Sequence, residues 1–203
     1  MLDRNKTFIE SLNFSALGFS KFLKTKISGA PKLVNLEVTK LCNARCDFCD
    51  YWQTRNEERL KDYSDLIRKI DPLVVMVTGG EPLIHKLDIL CDLFHNKGIE
   101  CHIETSGAHP YSGSWDWFTL SPKKRKLPLK ENYSKAQELK VVITPNDFRF
   151  AEEEALKVND DCKLYLQPEW SKEADILKDI ITYVKLNSSW QISLQTHKYM
   201  AIP

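Results

Sequence analysis

The chain has 203 residues, of which 42% are hydrophobic and 28% are charged, proportions that are ordinary for a soluble globular domain. Its formal net charge of +1 gives no overall field that would draw it to nucleic acid or to an anionic membrane surface. No apolar run approaches the ~20 residues of a membrane span, and the first residues lack the apolar core of a signal peptide.

The first 31 residues are predicted to form a helical extension, separate from a domain that comprises residues 32–203. Apolar residues recur near helical spacing from Phe8 to Leu23, and the helix breakers Gly29 and Pro31 end the pattern. We expect this helix to cap one end of the following domain.

From Lys32 onward, short apolar strands alternate with amphipathic helices. Strands are predicted at Leu33–Thr39, Leu73–Thr78, Glu100–Glu104, Trp117–Leu120, Leu139–Ile143, Lys163–Gln167 and Gln191–Leu194. Helices are predicted at Glu57–Ile70, Leu87–Lys97, Phe148–Val158 and Lys172–Leu186. The alternation predicts an α/β fold wound around a parallel sheet. A partial (β/α) barrel fits this length, because a closed barrel of eight units typically needs ~250 residues.

One stretch of the chain is too short for this pattern. Between Trp115 and Lys140 there is no room for a full crossover helix between two strands. The apolar runs VVMVT and KVVI, by contrast, are typical of buried parallel strands. We therefore expect one irregular or reduced unit within an otherwise regular sheet.

Three of the six cysteines lie within eight residues, in the stretch CNARCDFCDYW. Cys42, Cys46 and Cys49 can hold three corners of a four-iron four-sulfur cluster. A structural zinc site closes with four protein ligands, and an iron–sulfur cluster bound only by cysteine needs four cysteines. No fourth cysteine is nearby, because the next one, Cys91, is 42 residues further on. The fourth iron would stay open to S-adenosylmethionine, and Phe48 could shield the cluster and lie beside an adenine. A zinc site completed by a remote residue, or reduced thiols without a metal, is the alternative interpretation.

The other three cysteines are scattered along the chain. Cys91 lies on the apolar face of a predicted helix, and Cys101 and Cys162 flank predicted strands. This distribution does not form a disulfide framework, and we expect these residues to be buried as small hydrophobic side chains. The cysteine usage indicates a reducing compartment, so the protein is predicted to be cytoplasmic.

Polar or glycine-rich segments follow most of the predicted strands. They are the cysteine stretch, Thr78–Pro82, Thr105–Gly107, Ser121–Lys123, Gln167–Trp170 and Thr196–Lys198. The carboxyl ends of parallel strands share one edge of the sheet, which is where α/β proteins bind ligands. The positions of these segments therefore predict one shared site.

Three of these segments carry groups that suit a ligand. Gly79 and Gly80 follow the second strand and let the backbone approach a ligand, and Glu81 is expected to fix the turn. The alternative is that the two glycines only end the strand. The hydroxyls of Thr105 and Ser106 suit a ribose, and a capped turn is the equal alternative. Ser121-Pro122-Lys123 places a hydroxyl and a cation where a carboxylate could be neutralised, and in the run Lys123–Lys126 only Lys123 is expected to point inward.

Together these segments resemble the radical S-adenosylmethionine (SAM) superfamily and, within it, the 7-carboxy-7-deazaguanine synthases. The resemblance runs from Leu73 to Pro203 through VTGGEPL, HIETSGAHP, WDWFTLSPKK, ELKVVI, LYLQPEWS and SLQTHKY, with a terminal proline. It implies a carbon–nitrogen lyase of queuosine biosynthesis that converts 6-carboxy-5,6,7,8-tetrahydropterin to 7-carboxy-7-deazaguanine with loss of ammonia. It also implies a 4Fe-4S cluster, SAM and magnesium as cofactors, a reducing electron donor such as flavodoxin, and a homodimer.

The resemblance also implies a set of site residues. The cluster ligands would be Cys42, Cys46 and Cys49. The SAM contacts would be Phe48, Asp50, Gly80, Ser121, Pro122, Lys123 and Gln167. Pterin contacts would be Thr78, His197 and the terminal carboxylate of Pro203, although a chain end is on general grounds expected to fray.

The first third of the chain departs from the family pattern. It has no Gln-Gly-Glu-Gly segment, Val38 stands where the family has arginine, and Tyr51 stands where the family has its magnesium-binding threonine, with Thr54 nearby. A radical SAM enzyme that acts on a different heterocycle or on a peptide is therefore an alternative. A metal-stabilised or inactive relative that serves as a binding module is a third reading.

Overall fold

A computed structural model describes residues 19–20, 22–23, 26–27, 29, 32–37, 64–145 and 147–200. The cysteine stretch and most of the predicted extension lie outside these residues. Residues 19–20, 22–23 and 26–27 have helical backbone, as predicted for that part of the extension. The division into residues 1–31 and 32–203 stays a prediction.

Seven strands form one sheet in which they follow one another in chain order. They are β1 (Leu33–Glu37), β2 (Val74–Thr78), β3 (Glu100–Thr105), β4 (Trp117–Leu120), β5 (Glu138–Ile143), β6 (Lys163–Pro168) and β7 (Trp190–Ile192). The pairs β1–β2, β2–β3, β4–β5, β5–β6 and β6–β7 are parallel. Sequential parallel strands are the pattern of a (β/α) barrel, so the predicted fold class is confirmed.

The helices also follow the prediction, with two short additions. They are α1 (Ser64–Ile70), α2 (Asp88–His95), α3 (Lys130–Tyr133), α4 (Phe148–Ala155), α5 (Glu173–Leu186) and α6 (Thr196–Tyr199). The unit between β4 and β5 contains only the single turn α3, as its short length predicted. Helix α6 was not predicted, because four polar residues carry no helical periodicity. Among the described helices, none is long and apolar enough to cross a membrane.

The chain divides into two compact units. The first contains the described residues up to Glu104 together with Tyr111–Trp117, and the second contains Thr105–Pro110 and the residues from Phe118 onward. In the first unit, the core includes Val75, Val77, Cys91, Ile99, Cys101 and Ile103. In the second unit, it includes Phe118, Leu120, Leu139, Val141, Ile143, Leu166 and Ile180.

Burial within the strands alternates more than the apolar runs suggested. In β5, Leu139, Val141 and Ile143 are fully buried, whereas the residues between them are half-buried. Strand β2 shows the same period of two. One face of each strand therefore packs fully into the core, as expected when successive side chains point to opposite faces of a sheet. The three scattered cysteines are free and buried, which confirms the prediction for Cys91, Cys101 and Cys162.

Candidate functional site

The predicted cluster ligands Cys42, Cys46 and Cys49, with Phe48 and Asp50, lie outside the described residues, and their roles stay predictions. Strand β1, which precedes them, ends at Glu37, and Glu37 is paired with Thr78 at the end of β2. Strand β1 therefore ends beside the start of Thr78–Pro82.

The segment after β2 is a tight turn with a buried carboxylate at its centre. Gly79 has a φ of 92°, a backbone conformation that favours glycine. Glu81 is 1% exposed, and its Oε1 accepts the backbone N–H of Leu83 at 3.1 Å. A single 3-10 turn, Pro82–Ile84, follows. The predicted role of Glu81 in fixing the turn is thus confirmed, and the turn presents backbone without bulky side chains at Gly79 and Gly80.

In the second unit, the serine and lysine that follow β4 are joined as a pair. Ser121 is 2% exposed, and its backbone N–H donates to the carbonyl oxygen of Thr105 at 2.8 Å. The Nζ of Lys123 donates to the Oγ of Ser121 at 2.8 Å. Because that hydroxyl accepts from the lysine, its own proton remains available to a ligand. A charge and a hydroxyl donor therefore stand together, as the sequence predicted.

The remaining basic residues of this loop make other contacts. Lys124 forms an ion pair with Asp147, and Arg125 is exposed. Lys126 is half-buried, and its Nζ lies 3.3 Å from Nε2 of His109. The expectation that only Lys123 points inward is therefore wrong for Lys126. The sequence carries no sign of this contact, because His109 lies 17 residues away from Lys126 along the chain.

Gln167 lies near the carboxyl end of β6, opposite Val142 of β5, and is 8% exposed. A side-chain amide offers both donors and an acceptor, so this mostly buried residue is suited to bind a ligand. Its contact with SAM stays a prediction.

The loop after β3 is held by a side chain that sequence reasoning missed. Asn132, in α3, is fully buried and donates from Nδ2 to the carbonyl oxygens of Gly107 at 2.7 Å and His109 at 2.8 Å. Its Oδ1 has no hydrogen-bond partner in the described part of the chain. The sequence around Asn132 gives no local signal of this role, because the carbonyl groups of Gly107 and His109 lie 25 and 23 residues away along the chain.

The hydroxyls of this loop act as turn caps. The Oγ1 of Thr105 accepts the N–H of Gly107 at 3.0 Å, and the Oγ of Ser106 accepts the N–H of Ala108 at 3.3 Å. The capped turn, which the sequence left as an alternative to ribose binding, is therefore present. Ribose binding by the same hydroxyls stays a prediction.

The carboxyl-terminal tail contacts the second unit through Tyr199. Its helix α6 places the Tyr199 ring edge-on to Trp170, with centroids 5.2 Å apart and planes at 88°. The Tyr199 hydroxyl donates to Oε1 of Glu173 at the start of α5. The general expectation of a frayed end is therefore wrong up to this point. The side chain of His197 and the whole of Pro203 lie outside the description, and their proposed contacts stay predictions.

Comparison with known proteins gives consistent matches. The sequence pattern of the radical SAM superfamily matches residues 36–167, a span that includes the three clustered cysteines. The 7-carboxy-7-deazaguanine synthase of Flavobacterium psychrophilum is 44% identical, and the alignment covers 80% of each chain. The protein of the same name from a Synechocystis species is also 44% identical, over 79% of this chain and 80% of that one. The crystal structure of QueE from Escherichia coli matches with a TM-score of 0.64 at 25% identity, covering 80% of this chain and 84% of that one.

Proposed function

The chain belongs to the 7-carboxy-7-deazaguanine synthase family of the radical SAM superfamily, and from this we propose how its residues carry out the family's reaction. The protein is a carbon–nitrogen lyase that converts 6-carboxy-5,6,7,8-tetrahydropterin to 7-carboxy-7-deazaguanine with loss of ammonia, a step of queuosine biosynthesis. The observation that carries this conclusion is 44% identity over 80% of both chains. The family uses a 4Fe-4S cluster and SAM.

The described residues fit SAM in three respects. Lys123 and the Ser121 hydroxyl form a donor pair suited to a carboxylate. Gly80 offers backbone to the methionine amino group in a turn fixed by Glu81. Gln167 offers a side-chain amide on a residue that is 8% exposed. We assign cofactor contacts to these residues and to Phe48, Asp50 and Pro122, and cluster ligation to Cys42, Cys46 and Cys49.

The chain's own residues orient the reactants and exclude water. When bound, the cluster and SAM supply reductive cleavage of the sulfonium and, through it, hydrogen abstraction from the substrate. Ser121 and Gln167 are 2% and 8% exposed, so donors at these positions act in a poorly solvated environment. Donors there are stronger than in water and need little reorganisation during the reaction.

The pterin is assigned to Thr78, His197 and the terminal carboxylate of Pro203. Thr78 ends β2 next to the glycine turn, where its side chain is half-buried. The contacts of Tyr199 with Trp170 and Glu173 fix the backbone of α6, which contains His197. Fixing this helix lowers the entropy cost of bringing His197 and the chain end to a ligand.

Magnesium is a further part of the proposal. Tyr51 stands where the family has a magnesium-binding threonine, and we assign that role to the hydroxyl of Thr54 in the same loop, which would have to be rearranged. Hard oxygen ligands and several retained waters are typical of this ion. Removal of magnesium by a chelator should lower the product yield, and added Mg²⁺ should restore it. An unchanged yield in chelator would show that this chain works without the ion.

The cellular setting belongs to the same proposal. An open-site cluster needs an external one-electron donor, and we propose a small reducing protein such as flavodoxin. We also propose a homodimer in the cytoplasm, where free thiols such as those of Cys91, Cys101 and Cys162 stay reduced.

The product assay tests the proposed function directly. Anaerobically reconstituted enzyme, supplied with 6-carboxytetrahydropterin, SAM and a reductant, should form 7-carboxy-7-deazaguanine, and Cys46→Ala should form none. Accumulation of 5′-deoxyadenosine without product would contradict the substrate assignment. It would favour another heterocycle or a peptide, the alternative supported by Val38, Tyr51 and the missing Gln-Gly-Glu-Gly segment.

A further inference from the structure

A histidine, a cysteine and an aspartate meet near the amino-terminal end of β3, at the opposite end of that strand from Thr105. His95 is the last residue of α2, Cys101 is the second residue of β3, and Asp116 immediately precedes β4. One ligand atom from each lies within 4.8 Å of the other two. All three belong to the first compact unit, and none belongs to the residues assigned to SAM, the cluster or the pterin.

The three side chains already contact one another. Nε2 of His95 lies 2.7 Å from Oδ2 of Asp116, and the backbone N–H of Cys101 donates to the same oxygen at 2.9 Å. The Sγ of Cys101 makes two long contacts, at 3.9 and 4.0 Å, to the carbonyl oxygens of Cys91 and Ile99. Such contacts are weak, because a thiol is a poor donor.

Burial distinguishes this cluster from a surface group of polar residues. Cys101 is fully buried, and the side chains of His95 and Asp116 are 11% and 20% exposed. The thiol therefore lies inside, while the histidine and aspartate form the side that solvent reaches.

We propose that His95, Cys101 and Asp116 bind a zinc ion. Imidazole, thiolate and carboxylate are all zinc ligands, and three protein ligands with one water complete a tetrahedron. Metal–ligand lengths of 2.0–2.3 Å place tetrahedral ligand atoms roughly 3.3–3.6 Å apart. Closure around the ion would therefore move the histidine and aspartate slightly apart and bring the sulfur closer.

The charges of the cluster suit a divalent ion. A thiolate and a carboxylate neutralise Zn²⁺ when the imidazole is neutral, so the buried site carries no net charge. Binding releases the thiol proton to solvent. The N–H of Cys101 would continue to orient the carboxylate, as groups around metal ligands commonly do. Sulfur and nitrogen ligands favour zinc over magnesium, so this site is distinct in chemistry from the proposed magnesium site.

Zinc here would connect α2, β3 and the segment before β4, and a water molecule would occupy its fourth position. The test uses enzyme with the 4Fe-4S cluster loaded, so that Cys42, Cys46 and Cys49 are already occupied. After treatment with a mild chelator, the enzyme is titrated with Zn²⁺ and, separately, with Co²⁺. We expect one zinc per chain by elemental analysis, with iron as the internal standard, and visible absorption bands of tetrahedral, thiolate-bound Co²⁺.

Two variants make the test specific. Cys101→Ala should weaken binding of both ions at least tenfold, whereas the matched control Cys91→Ala, which removes another fully buried thiol, should bind as the unmodified enzyme does. His95→Gln keeps a donor toward Asp116 but removes the imidazole, and should also weaken binding. Zinc should raise the thermal midpoint of the unmodified enzyme but not that of Cys101→Ala.

Two outcomes would overturn the proposal. In the first, enzyme loaded with the 4Fe-4S cluster takes up no zinc and gives no tetrahedral Co²⁺ bands. His95, Cys101 and Asp116 would then be a hydrogen-bonded group that binds no metal. The second is Cys101→Ala or His95→Gln binding zinc as tightly as the unmodified enzyme. If neither variant folds, the Co²⁺ spectrum of the unmodified enzyme decides by itself.

Discussion

Lys123 is the charged residue whose contact bears most directly on cofactor binding. A hydrogen bond to a charged group is worth about 1.5–3 kcal/mol, and about 1.4 kcal/mol corresponds to a tenfold change in affinity. Lys123→Met should therefore raise the KM for SAM about ten- to a hundredfold, measured by product formation at varied SAM concentration. The control Lys124→Met removes a neighbouring lysine that pairs with Asp147, and should change the KM little. Equal effects of the two variants would contradict the assignment.

Gly107 is constrained by both its backbone and its surroundings. Its φ is +70°, and a Cβ added there would lie 2.4 Å from Cδ1 of Leu120 and 3.1 Å from Cβ of Pro128. Gly107→Ala should lower the free energy of unfolding by about 2–4 kcal/mol, because the strain of a left-handed backbone adds to overpacking of the core. Chemical denaturation would measure the loss.

Gly29 provides the matched control for that substitution. Its φ is +68°, nearly the same, but no atom of the described residues lies within 4 Å of an added Cβ. Gly29→Ala should therefore cost only the backbone strain, about 1 kcal/mol. Equal losses for the two variants would show that the contact with Leu120 adds nothing.

At the scale of elements, α6 should matter for the pterin and not for SAM. Tyr199→Phe removes the hydrogen bond to Glu173 while keeping the ring against Trp170. We expect a several-fold higher KM for the pterin, with cleavage of SAM in the absence of substrate unchanged, because only the position of α6 is loosened.

A second tyrosine tests whether this effect is specific. Tyr183 in α5 donates a similar hydrogen bond to Glu152, so Tyr183→Phe makes the same chemical change away from α6. It should leave the pterin KM unchanged. A higher KM in both variants, or in neither, would argue against a positioning role for the tail.

The strands and long helices could be predicted because their signal is local. The apolar run of β2 and the spacing of Ile176 and Ile180 on α5 directly determine which face is buried. The absence of a long helix before β5 followed from chain length alone. Helix α6 could not be found in this way, because the contacts of Tyr199 with Trp170 and Glu173, 26 or more residues away, stabilise it.

At the scale of the whole molecule, the candidate site also contains residues with a local sequence signal and residues that act through distant contacts. The positions of Ser121, Lys123 and Gln167 in the fold could be predicted because each lies near or just past the end of an apolar strand, whereas their contacts with SAM stay predictions. Asn132 could not, because it acts through carbonyl groups far along the chain and belongs to no strand end. Positions directly at strand ends are thus readable from the sequence, whereas the side chains that hold the loops in place depend on tertiary packing.

The stability of the whole molecule should fall in alkali because several groups hold their protons more tightly in the folded state than in the unfolded state. Burial, with the nearby charge of Asp161 as a smaller cause, raises the pKa of Cys162 from 9.0 to about 11. Burial and the hydrogen bond to Glu152 raise the pKa of Tyr183 from 10.0 to about 12. Burial, with the hydrogen bond to Glu154, also raises the pKa of Tyr133 well above its usual range.

The sign of the effect follows from these directions. A raised pKa means that the folded state binds the proton more tightly than the unfolded state does, so the stabilisation is complete below the ordinary pKa. It is then lost as the pH rises from 9.0 to about 11 for Cys162 and from 10.0 to about 12 for Tyr183. The unfolding midpoint in denaturant, measured at rising pH with the cluster loaded, should fall through this range. Cys162→Ala should flatten the fall that begins near pH 9.0, and Tyr183→Phe the part above pH 10.0. A midpoint that stays constant or rises up to pH 12 would contradict the tight binding of these protons.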